Sequence, residues 1–227
     1  MAESGSGIAP GQAKVLGSVD GRWQKDFQMS QLPKIHPLSA DIGQLDGIKA
    51  LAFGIFLLER AMPAFFQFQC DTGWTGGGVM RAALAQCWAV LEGCPVESVS
   101  FVSVAECERA LPDSEDPHES DYTSAAIDAV DIACNLLEYI KCGDISLIVA
   151  SATARCDTAE LFHQNNESTN ESGNACSANR FLDEELDYMQ SDLEFLRDLD
   201  VHETTIAPVV LRRVLLLGYR DLRLQLG

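Results

Sequence analysis

Basic side chains are scarce in this sequence: 16 lysines and arginines stand against 34 aspartates and glutamates, a formal net charge of −18 over 227 residues. A chain this acidic repels nucleic acid and anionic membrane, so neither is expected as a partner. Long apolar runs are missing as well. The longest are interrupted by Glu59-Arg60 or by Arg212-Arg213, and none reaches the ~20 apolar residues of a membrane span. Met1 opens AESGSGIAPGQ, without a basic stretch or an apolar core, so no signal peptide is expected and the chain is placed in the cytoplasm.

Metal and nucleotide signatures are also lacking. His36, His118, His163 and His202 are dispersed without ligand spacing, and no helix carries the Glu-x-x-His pattern of di-iron bundles. Cys70, Cys87, Cys94, Cys107, Cys134, Cys142, Cys156 and Cys176 contain no CxxC pair. Their positions within apolar helical patterns favour buried reduced thiols, with a disulfide framework or a metal site as the other readings. Gly76, Gly77 and Gly78 precede a helix but have neither a following Lys-Ser/Thr nor a preceding strand, so they read as a tight connection and not as a phosphate loop. No cofactor, no metal and no catalytic residue are expected, and the chain is read as a non-enzyme.

What is present is amphipathic helix. Residues 1–37, rich in Gly, Ser, Pro and Gln, read as a flexible or loosely docked arm, and 38–227 as one helical domain. A wide apolar face runs from about Asp41 to Met62; Pro63 should kink or restart that helix, which continues to Cys70 and stops at Asp71-Thr72-Gly73. Val79 to Leu91 follows as the second arm of a hairpin, ended by Gly93 and Pro95. Val96 to Val104 reads as strand by propensity, yet a lone strand has no partner, so a short helix over Val102 to Ala110 is preferred. The stretch Ser120 to Cys142 puts Tyr122, Ile127, Val130, Cys134, Leu137 and Ile140 on one face and Asp121, Asp128, Asp131 and Glu138 towards the other, with Ser120 or Asp121 as cap. Ile145 to Gln164 is a further helix. Residues 165–179, NNESTNESGNACSAN, read as a mobile linker. Phe181 to Leu199 carries a narrow seam of Leu182, Leu186, Met189, Leu193 and Leu196 among many acids, and Thr205 to Leu226 carries Arg212, Arg213, Arg220 and Arg223, which either pair with those acids or are solvated. Long amphipathic helices with short loops predict an all-α bundle of about seven helices.

The excess charge is local. Between Glu106 and Glu203 lie 24 acids and five bases, a net of −19, while the remainder holds 10 acids and 11 bases. Such a surface either keeps the protein soluble or attracts a basic partner. Within it, Asp128 and Asp131 are three apart and Glu138 follows on nearby turns. For Asp128 a buried bond to a neighbouring helix and a surface role remain open, with metal or acid–base work a lesser alternative. Glu59 and Arg60 are expected to make ion pairs within the bundle.

Leu51 to Gly93, LAFGIFLLERAMPAFFQFQCDTGWTGGGVMRAALAQCWAVLEG, resembles the YjaG-like family of bacterial helical proteins, a domain of unknown function. The shared features are Glu59-Arg60, Pro63 two residues after Ala61, the Thr72-Gly73-aromatic turn and Trp88. A second match is Ala126-Ile127-Asp128-Ala129 with Leu137-Glu138 and the Ala-rich helix after Gly143. The resemblance implies an all-α fold and brings no reaction or catalytic residues. Some similar small acidic proteins act as immunity partners of secreted toxins, and the resemblance points there: a cognate basic toxin, of the nuclease class, bound through an acidic surface. Candidate contacts, taken from acid density and expected exposure, are Asp113, Glu115, Asp116, Glu119, Asp121, Asp183, Glu184, Asp187 and Asp192. The alternative is a helical housekeeping or scaffold protein, monomeric or homodimeric.

Overall fold

A computed structural model describes residues 36–112, 120–169, 180–200 and 206–225, all within one compact unit, Ile35–Gly227. Among the described residues eight α-helices carry the fold: α1 His36–Ile42, α2 Gly47–Thr72, α3 Gly77–Leu91, α4 Val104–Glu108, α5 Thr123–Cys142, α6 Ile145–Thr169, α7 Arg180–Asp198 and α8 Ile206–Gln225. A single 3₁₀ turn, Val96–Ser98, precedes α4, and no strand occurs among the described residues. The fold is an all-α bundle. No helix of the described residues is long and apolar enough to cross a membrane.

The eighth helix arises because the stretch expected as one helix from Asp41 is two. Backbone turns close α1 at Gly43 to Leu45, and the Asp46 carboxylate then accepts from Lys49 N at 3.0 Å, a side-chain cap that starts α2 afresh. Fifteen of the 26 residues of α2 are buried, which makes it the central helix: α3, α5, α6, α7 and α8 all pack on it. It runs through Pro63 without restarting. Ala61, Met62, Ala64 and Phe65 are buried around the proline, and that packing holds the helix across the one backbone bond that proline cannot donate. Gly73, at φ 71°, supplies the left-handed cap.

Helix α5 packs on α2 at Gly54. A Cβ at Gly54 would collide with Leu136 Cδ2 and come within 3.2 Å of Ile148 Cδ1, so the missing side chain makes room for these two. On α5 the buried face is rotated from the one read in the sequence. Val130 and Leu137 are buried, but Ile127, Cys134, Ile140 and Tyr122 are half-buried; Ala126, Ala129, Ala133 and Leu136 are buried as well, and Leu136 reaches Gly54 of α2. Small residues permit close packing that the larger apolar ones would prevent. Its N-cap is Tyr122 without a side-chain bond; Ser120 instead closes the preceding turn, its Oγ accepting from Tyr122 N and donating to Asp71.

Between α3 and α4 the chain is tied by Gln86, buried on α3, whose Oε1 accepts from Phe101 N at 2.8 Å and Val102 N at 3.2 Å. A capping box between Ser103 and Glu106 then opens α4. Helix α6 extends to Thr169, five residues into the stretch read as linker; residues 170–179 lie outside the described residues, as do 1–35 of the stretch 1–37 read as an arm, whose last two residues, His36 and Pro37, begin α1.

Candidate functional site

Helix α7 has two faces of different chemistry. At about 100° per residue, Leu182, Met189, Leu193 and Leu196 face the bundle and are buried. Asp183, Asp187, Glu194 and Asp198 are exposed and fall within about 60° of each other on the opposite side, a stripe some 22 Å long at 1.5 Å per residue. Asp183, Asp187 and Asp198 have no ion pair among the described residues.

Two further acids of α7 point inward. Glu185 is 4% exposed and Asp192 not at all. Arg155 Nη2 on α6 donates to Glu185 Oε2 at 2.6 Å, and Arg60 Nε on α2 donates to Glu185 Oε1 at 3.1 Å. Arg60 Nη1 also reaches Asp192 Oδ2 at 2.6 Å, and Arg213 Nε on α8 reaches Asp192 Oδ1 at 2.6 Å. The result is an alternating chain, Arg155, Glu185, Arg60, Asp192, Arg213, through four helices. Arg213 further donates to Ser191 Oγ and lies 4.7 Å over the Phe195 ring. Burial pushes the Glu185 carboxyl up, but Arg155 and Arg60 more than offset this and hold it below the usual range.

On α5, Asp128 Oδ2 accepts from Thr158 Oγ1 of α6 at 2.6 Å. Burial pushes Asp128 up to about 6, against that bond, with Asp157 and Asp131 adding to the rise and Arg155 opposing it. Burial alone pushes Asp131 to about 6. Glu59 is half-buried, raised by burial, and accepts from Trp88 Nε1 at 2.8 Å instead of making an ion pair. Among the described residues no group of three or more His, Cys, Asp or Glu side chains could hold a metal ion.

The candidate contacts separate accordingly. Asp183 and Asp187 stand on the outward stripe, and Asp121 is exposed in the turn before α5. Glu184 is half-buried and bound by Arg180 Nε at 2.7 Å. Asp192 is corrected: it belongs to the interior, because Arg60 and Arg213 neutralise it there. Asp113, Glu115, Asp116 and Glu119 lie outside the described residues. Sequence reading missed Glu185, Arg155 and the inward turn of Asp192. Glu185 and Asp192 each follow a seam residue, Leu182 and Met189, by three positions, which on a helix puts them beside the seam and not opposite it.

No curated protein matches this chain. Among solved structures it is similar to the crystal structure of a DUF416 family protein from Shewanella baltica OS155, at 17% sequence identity and a TM-score of 0.62, with 79% of this chain and 94% of that chain covered. That likeness supports the fold. Residues 37–210 match the profile of DUF416, described as a protein of unknown function, and the chain therefore belongs to the DUF416 family.

Proposed function

We propose that this protein is an immunity protein: a non-catalytic binder that engages a basic bacterial toxin of the nuclease class and blocks it. The observation that carries the reading is the outward stripe of α7. Its carboxylates are held on a rigid helix whose inward acids are already neutralised, so the stripe is left for an external cation. A nuclease must present cations to phosphate, and a row of carboxylates competes for them. The contact set is Asp183, Asp187, Glu194 and Asp198, with Asp121 and the acids at 113, 115, 116 and 119 as further candidates; Asp192 is excluded.

The test is protection of cells from the product of the adjacent gene, together with co-purification of the two proteins. Reversal to lysine at Asp183 and Asp187 should abolish protection and lower affinity at least tenfold, and binding by the unaltered protein should weaken as salt is added. Protection that survives both reversals, or binding indifferent to salt, would overturn the reading.

A further inference from the structure

Helix α8 turns an apolar side to solvent. Ile206, Ala207 and Val210 are buried, and beside them Arg213 is held by the buried Asp192 at 2.6 Å, which fixes the helix against rolling. At about 100° per residue the opposite sector, about 140° wide, carries Pro208, Leu211, Arg212, Leu215 and Leu216. All five are exposed. Leu211, Leu215 and Leu216, at 46%, 56% and 65%, are three of the four exposed large hydrophobic residues among those described. A single leucine on a surface is ordinary, but three on one side of one helix mark a contact. The face also begins where the shared family body ends: the DUF416 match stops at residue 210, so all three leucines lie outside the matched residues.

We propose that a second copy of the chain docks on this face, giving a two-fold dimer through α8. Charge selects the occupant. The helix carries Arg212, Arg213, Arg220 and Arg223 against Asp221 alone, a net of +3 and the most positive of the eight helices, which leaves −21 of the total −18 for the rest of the chain. Such a helix repels a basic toxin, whereas a second copy brings both an acidic body and an equivalent row of leucines. A two-fold contact is self-complementary, so each α8 meets the other and approaches the acidic body of the other copy at once. With the helices antiparallel and the axis near Leu215, Arg212 of one copy stands about 9 Å along the helix from its counterpart, so the two like charges do not meet. One helix against one helix is a small interface, and the association is therefore weak, in the micromolar range. This inference stands apart from the toxin reading, which uses α7.

Sedimentation velocity of the full-length protein from about 1 to 200 µM reads the association directly. The expected result is a monomer at the low end and a dimer at the high end. Leu211→Glu combined with Leu215→Glu should weaken the dimer at least tenfold, and Arg212→Glu alone about fivefold, since it removes the attraction to the other copy's acids. These side chains are exposed, so the variants should keep the helical circular dichroism and melting temperature of the dilute protein. Hydrogen exchange needs no variant: amides of α8 should exchange more slowly in the concentrated than in the dilute protein, with α5 unchanged. A monomer at every concentration, a dimer indifferent to the substitutions, or a monomer that instead binds vesicles of phosphatidylglycerol through α8 would overturn the proposal.

Discussion

Asp128 and Asp131 are carboxylates placed where they are only partly hydrated, and their titration has a definite sign. Both are raised from an ordinary 3.8 to about 6 in the folded protein, so the folded state holds their protons more tightly than the unfolded chain. Their contribution to stability is full below about pH 4 and is lost as pH rises through about 6. Glu185 runs the other way: lowered in the fold, it stabilises above its usual 4.5 and that share is lost as pH falls beneath it. Between these limits the protein should be more stable at about pH 5 than at about pH 7.5, by on the order of 2 kcal/mol after allowance for residual hydration. Melting temperatures across that range check this, and Asp128→Asn with Asp131→Asn should flatten the profile. A wild-type profile that rises towards neutral pH would contradict the assignment.

The helices were legible in the sequence to a useful degree, and their faces less so. Apolar periodicity located α2, α3, α5, α6, α7 and α8, and the weakness of a lone strand pointed correctly to α4. The break before α2 was missed because Asp46 acts through a side-chain cap, which periodicity does not register. The rotation of α5 was missed because Ala126, Ala129 and Ala133 weigh little on hydrophobic scales, although they are buried. Acid density likewise put Asp183, Asp187 and Asp192 in one class; the five positions from Asp187 to Asp192 turn about 140° round the helix, from its exposed side to its buried one. The α2–α5 approach yields a prediction of its own. Gly54→Val should cost about 3 kcal/mol through overpacking against Leu136 and Ile148, although glycine is itself a poor helix former by about 1 kcal/mol. Denaturant unfolding measures it; a stabilised variant would show that propensity outweighs the clash.

Across the whole molecule, the chain of Arg155, Glu185, Arg60, Asp192 and Arg213, buried except at its half-buried Arg213 end, joins α6, α7, α2 and α8. Helix α7 has only a narrow apolar seam, so these pairs fix which of its sides looks out and so where the acidic stripe stands. Asp192→Ala would strand Arg60 and Arg213 without their shared carboxylate and should cost about 3–5 kcal/mol, whereas adding Arg213→Met to that variant should recover part of the loss. Unfolding free energies of the two variants decide the point; equal losses would mean Arg213 does not share the charge. For descent with modification, such a chain behaves as one heritable unit. A lineage that exchanges any single member passes through an intermediate with a marooned ion, so homologues should retain all five positions or have traded several of them together.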